Sequence, residues 1–101
     1  MKVVVVDENN FKEEVLKEKK VLVDFNATWC GPCRMLKPIL DEYSEITNIK
    51  ICSIDVDNSP NLASKYSVYS IPCLIILENG IETKRNIGFL TLEELKEFIN
   101  E

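Results

Sequence analysis

The sequence predicts an α/β fold: a mainly parallel sheet with helices on both faces and an antiparallel hairpin at one edge. Three observations carry this prediction. Val21 to Phe25 is an apolar, β-branched run broken only by Asp24, the pattern of a central strand buried on both faces. A helical period follows closely, at Met35, Leu36, Ile39 and Leu40, so the strand feeds a helix. Asn79-Gly80, set between two further strand-like runs, is a hairpin turn signal. A chain of 101 residues suits one domain, residues 1–101, with little room for a second.

Taken in order, Lys2 to Val6 reads as a short first strand. Asp7 to Glu18 reads as a helix with Phe11, Val15 and Leu16 on one face; Asn10 with Glu13 offers a capping box. Lys20 to Asn26 is the second strand. Cys33 to about Thr47 is a long helix, which Pro38 should kink because it lacks an N–H and crowds the preceding turn. Ile49 to Val56 is the third strand. Ser59-Pro60 reads as a cap followed by proline at the first helical position, opening a short helix through Leu62, Ala63 and Tyr66. Leu74 to Glu78 is the fourth strand and Ile81 to Ile87 returns antiparallel to it. Thr91, with Glu94 three residues on, caps a last helix whose buried stripe is Leu92, Leu95, Phe98 and Ile99. The order is βαβαβαββα: five strands in one mixed sheet, flanked by four helices.

Composition narrows the function. Hydrophobic residues make up 46% of the chain, enough for an ordinary core without disulfide staples. Seventeen acidic against twelve basic residues leave a net charge of −5, which argues against a phosphate-binding surface and hence against nucleic acid. There is no histidine, so any general base must be a carboxylate or a cysteine. Val3 to Val6 is too short for the apolar region of a signal peptide and far too short to span a bilayer. The expectation is therefore a cytoplasmic protein without a membrane segment. Four cysteines in a reducing compartment read as catalytic, metal-binding or buried thiols, not as a structural framework.

The chemistry concentrates in Trp29-Cys30-Gly31-Pro32-Cys33, at the strand-to-helix junction. Two cysteines at this spacing can close a small disulfide ring. The first would stand at a helix N-terminus, where unpaired N–H groups favour a thiolate. A thiolate that attacks a disulfide, with a second thiol in reach to release the mixed disulfide, is complete for dithiol–disulfide exchange. The alternative is half of a zinc site. That needs a second pair, and Cys52 and Cys73 stand singly in strand contexts at no common zinc spacing.

This motif, after a strand carrying an Asp, resembles the active site of the thioredoxin family of small general protein-disulfide reductases, and the element order resembles the thioredoxin fold over essentially the whole chain. The resemblance implies that Cys30 is the nucleophile and Cys33 the resolving thiol, with Gly31 and Pro32 setting a reducing potential. It makes Asp24 the buried acid beneath Cys33, accepting that thiol's proton; burial alone already says its pKa should rise. The alternative for Asp24, a strand-end turn cap, fits poorly with Val21 to Val23 before it and Phe25 after it. The resemblance makes Pro72 a cis-proline opposite the disulfide. With Trp29, Ile71 and Gly88 it would form a shallow groove where an extended substrate pairs with the Ile71 backbone. A sole Trp packed in the core is the alternative for Trp29. The resemblance further implies a monomer that needs no bound cofactor, acts on disulfide-containing proteins as part of cell redox homeostasis, and is recharged by a thioredoxin reductase.

Three positions depart from the family pattern. Asn26 stands where a second Trp is usual, which puts the packing of the active-site loop in doubt. Ser53 stands where many relatives carry a buried Lys, so Asp24 should be harder to ionise. Cys73, directly after Pro72, stands where Thr is common; it is either a packing stand-in or a thiol open to oxidation and capping. Two further readings compete. A thiol oxidant or isomerase on the same fold is opposed by the Gly-Pro pair and the N-terminus. A non-catalytic binding module is opposed by the intact Cys30, Cys33 and Asp24.

Overall fold

The computed structural model describes residues 2–100. Its sheet runs β1 (Val4–Val6), β2 (Lys20–Asn26), β3 (Lys50–Asp55), β4 (Cys73–Glu78) and β5 (Ile81–Ile87) in chain order. In space the order is β1-β3-β2-β4-β5. The first three strands are mutually parallel, and β4 and β5 are antiparallel to their neighbours. Three helices connect strands and a fourth follows β5: a short, π-wound first helix at Lys12–Leu16, then α1 (Gly31–Ser44), α2 (Pro60–Lys65) and α3 (Leu92–Ile99).

Strand parity divides the core in two and fixes where the site can be. Side chains alternate across a strand. Val21, Val23 and Phe25 enter the cluster with Phe11, Val15 and Leu62, under the first helix and α2. Leu22 enters the opposite cluster with Leu36, Leu40, Leu95 and Ile99, under α1 and α3. Asp24 and Asn26 share the parity of Leu22 and therefore lie on the α1 side. The central position of β2, bonded to β3 and β4 along its length, buries that carboxyl.

Several element ends differ from the sequence reading. The first helix is shorter than residues 7–18, and the chain enters it through Asp7 and Asn10, which exchange backbone-to-side-chain bonds, the Asp7 amide to Asn10 Oδ1 at 2.8 Å and the Asn10 amide to Asp7 Oδ1 at 3.2 Å. The Asn10–Glu13 box is thus replaced by an Asp7–Asn10 turn, and Glu13 pairs with Lys17 at 2.8 Å. Ser59 precedes α2, but its hydroxyl makes no capping bond and is buried without a partner. Thr91 and Glu94 do form the capping box at α3. At the hairpin, Asn79 (φ 53°) and Gly80 (φ 81°) both take positive φ, the requirement of a type I′ turn, which suits the right-handed twist of β4 and β5.

The largest revision matters for function. α1 begins at Gly31, two residues before the expected start, because Pro32 needs no amide partner in a first turn and its fixed φ suits one. Cys30 is therefore the N-cap itself.

Candidate active site

Cys30 and Cys33 form a disulfide with 5.2 Å between their Cα atoms. The N-cap position places Cys30 Sγ where a serine or aspartate oxygen would stand, and the Cys33 amide donates to it at 3.2 Å. A hydrogen bond from an amide at the positive end of a helix stabilises a sulfur anion. In the reduced protein this favours Cys30 as the thiolate. The two cysteines face different surroundings. Cys30 Sγ lies 3.8 Å from the Ile71 carbonyl oxygen. Cys33 lines a pocket of about 350 Å³ that also receives Asp24. Ala27 completes the small apolar cluster around the pair, with Val56 and Ile71 packed against it.

Asp24 is 4% exposed. Its Oδ2 accepts from Asn26 Nδ2 at 3.0 Å, and its Oδ1 has no partner. Burial pushes its pKa from 3.8 up to about 7, the Asn26 hydrogen bond opposing that rise. A carboxyl poised near neutrality can take a proton and give it back under ordinary conditions. Asn26 was readable only as a departure from a pattern; the structure makes it the partner of the buried acid. The same amide donates to Ser53 Oγ at 2.8 Å, and β3 sets Ser53 beside Asp24 in register. Spacing held the signal: residues two apart on a strand share a face.

Of the residues expected to form the groove, Ile71 approaches the disulfide through its carbonyl. The Ile71–Pro72 bond is cis, the isomer that the resemblance implies. Gly88, at φ 109°, holds a conformation open to glycine, and its amide donates to the Pro72 carbonyl at 2.8 Å. That bond ties the end of β5 to the segment before β4. Trp29 is 67% exposed, which excludes the core-packing alternative; its Nε1 donates to Asp57 Oδ2 at 2.8 Å. No local sequence pattern marks Asp57 as that partner. Tyr69 and Phe89 add exposed aromatic surface near the same segments.

Cys52 and Cys73 are fully buried, in β3 and β4. Burial pushes the Cys52 thiol up to about 11 and raises that of Cys73. Burial shields both thiols and disfavours their thiolates, which favours the packing role for Cys73 over the oxidisable one. No group of three or more His, Cys, Asp or Glu side chains suited to a metal ion occurs among the described residues. With the protein reduced, a colorimetric thiol reagent should titrate the motif pair and spare Cys52 and Cys73 until denaturant is added. Labelling of Cys73 in the native protein would restore the oxidisable reading.

A cysteine pair closed as a disulfide at a helix N-cap, whose second member shares a pocket with a buried carboxyl, defines on this fold a thiol–disulfide oxidoreductase acting on protein disulfides. A family model described as "Thioredoxin" matches residues 2–101. A thioredoxin of Rickettsia felis is 41% identical over 98 residues, covering 94% of this chain and 93% of that protein. The thioredoxin of Bacillus subtilis is 40% identical over 102 residues, covering 99% and 97%. A solved structure of a mutant thioredoxin from Halobacterium salinarum superposes with a TM-score of 0.91 at 32% identity, covering 98% of this chain and 88% of that one. The chain belongs to the thioredoxin family. No helix among the described residues is long and apolar enough to cross a membrane.

Proposed function

We propose that this chain is a general protein-disulfide reductase in which Cys30 attacks, Cys33 resolves and Asp24 moves the proton. The single observation that carries the reading is the bond from the Cys33 amide to Cys30 Sγ, which activates one sulfur of the pair and not the other. The Cys30 thiolate attacks a substrate disulfide. The Cys30–substrate S–S bond forms, and the first substrate sulfur leaves with the electron pair and takes up a proton. Cys33 then passes its proton to Asp24 and attacks Cys30 Sγ. The Cys30–Cys33 disulfide forms, and the second substrate sulfur leaves as a thiolate, to which a proton returns. Two electrons have moved from the protein to the substrate, and the disulfide state described here is the product.

In this reading Gly31 and Pro32 hold the two sulfurs at ring-closing distance. Trp29, Ile71, Pro72 and Gly88 receive an extended substrate segment, whose backbone pairs at Ile71. A thioredoxin reductase would supply two electrons and two protons to reopen the ring. The protein would work as a single-domain cytoplasmic monomer without a bound cofactor.

The test is an insulin-reduction turbidity assay with dithiothreitol as electron donor, paired with brief alkylation of the reduced protein near neutral pH. Precipitation of insulin chains well above the dithiothreitol background is expected, with the label on Cys30. A protein that adds nothing to that background would reject the reading, and preferential label on Cys33 would reverse the assignment.

A further inference from the structure

We propose that Asn26 is a positioning residue for the proton transfer: its amide tethers Asp24 Oδ2 and leaves Oδ1 as the oxygen that takes the Cys33 proton. This rests on the proton-transfer role given to Asp24 above. Asn26 Nδ2 meets three acceptors: Asp24 Oδ2 at 3.0 Å, the Asp24 carbonyl at 3.1 Å and Ser53 Oγ at 2.8 Å. These contacts set the amide's orientation, because a flipped amide would face its own oxygen against a carbonyl and a carboxyl. Asp24 Oδ1 is buried and accepts from no group. One oxygen is thus occupied by a donor that stays in place, and the other is open.

The pocket supplies the rest of the route. Asp24, Asn26, Ser53 and Cys33 line it together, and it is bounded by Val3 and Val5 on the β1 side. The proton leaves the Cys33 sulfur, forms an O–H bond at Asp24 Oδ1, and passes on to solvent through this space. An amide donor also favours the charged carboxylate, so Asn26 holds Asp24 more easily ionised than burial alone would. Asn26 therefore acts on the reaction through Asp24, without touching substrate.

Other titratable and charged groups line the same pocket or lie beside it on the neighbouring strands. Across the pocket on α1 stand Cys33, Arg34, Lys37 and Asp41. Asp55 on β3 is the register partner of Asn26, and Cys73 on β4 interacts electrostatically with Asp24. All of them remain when Asn26 is substituted, so a comparison of variant with wild type isolates the amide.

The experiment measures insulin reduction against pH for wild type, Asn26→Leu, Asn26→Ala, Asp24→Asn and the Asp24→Asn/Asn26→Leu double variant. A carbon-13 titration of the Asp24 carboxyl in the oxidised form accompanies it. Loss of the donor should move both the rate profile and the carboxyl titration to alkaline pH by about one pH unit. The rate should recover at high pH, and the Asn26→Leu change should add nothing in the Asp24→Asn background. Asn26→Ala guards against misfolding of the larger substitution. If Asp24→Asn is slow near neutral pH but neither Asn26 variant shifts either curve, the positioning role is wrong while the role of Asp24 stands. If Asp24→Asn matches wild type at every pH, the proton-transfer reading itself fails. A uniform slowing of the Asn26 variants, with no pH shift and persisting in the double variant, would make Asn26 a packing residue only.

Discussion

Cys33→Ser should stop turnover at the half-way point, with the substrate held as a mixed disulfide on Cys30. The reason lies in which atoms the substitution removes. The bond that activates Cys30 comes from the backbone amide of residue 33, and serine keeps it. The first attack is therefore preserved. The second needs a sulfur nucleophile at position 33, and a hydroxyl with its much higher pKa cannot replace it at neutral pH. Multiple-turnover insulin reduction should fall toward the dithiothreitol background, while the reduced variant, freed of dithiothreitol and mixed with insulin, shows one adduct per protein molecule on a non-reducing gel. Peptide mapping should place that adduct on Cys30. Cys30→Ser should lose both the rate and the adduct. A Cys33→Ser protein that turns over at the wild-type rate, or whose adduct maps to Cys52 or Cys73, would overturn the division of roles.

The parts of this site that were legible in the sequence are those that depend on local rules. The alternation of Val21, Val23 and Phe25 against Leu22 and Asp24 is a period of two, and it puts the carboxyl on Leu22's face, which the fold sets under α1. Asn79-Gly80 and the Thr91–Glu94 box are short-range chemistry, and both formed as read. The sequence pattern places the start of α1 at Cys33, two residues late, and that offset hides the contact from the Cys33 amide to Cys30 Sγ. Counted from Cys33, the helix leaves Cys30 outside it; counted from Gly31, Cys30 becomes the cap.

The parts that were not legible depend on register or on competition between equivalent partners. Ser53 meets Asn26 only because β3 pairs with β2 in one register, and hydrophobic patterning does not set that pairing to the residue. Asn10 had two acidic residues within capping reach, Asp7 and Glu13, and the turn at Asp7 won. Asp57 is the partner of Trp29 from 28 positions further along the chain, with no local pattern to announce it. Ser59 has the right residue type at the right place, yet its hydroxyl caps nothing. Propensity names a candidate; only the path of the chain decides whether the bond is made.

Asp24 should make the wild-type protein lose stability as pH rises from acid to neutral, and Asp24→Asn should remove that loss. Its carboxyl has a pKa of about 7 when folded against 3.8 as a reference. Between those values the folded state binds the proton and the unfolded state has released it, so stability falls with increasing pH. Below about pH 4 both states hold the proton and there is no penalty. Above about pH 7 the folded protein must carry a buried charge, eased by one amide donor, and the penalty is complete. The interval corresponds to about 4 kcal/mol, a large fraction of the margin of an ordinary domain. Asn keeps the size of the side chain and never ionises. The variant should therefore differ little from wild type near pH 4 and be more stable by a few kcal/mol at pH 8. Urea unfolding of both proteins in the oxidised form at pH 4, 6 and 8 measures this, with the midpoint gap widening at each step. A gap that stays constant across that range would mean that the Asp24 carboxyl is ionised as readily in the fold as in the unfolded chain, and the poised acid would be lost as an explanation of the site.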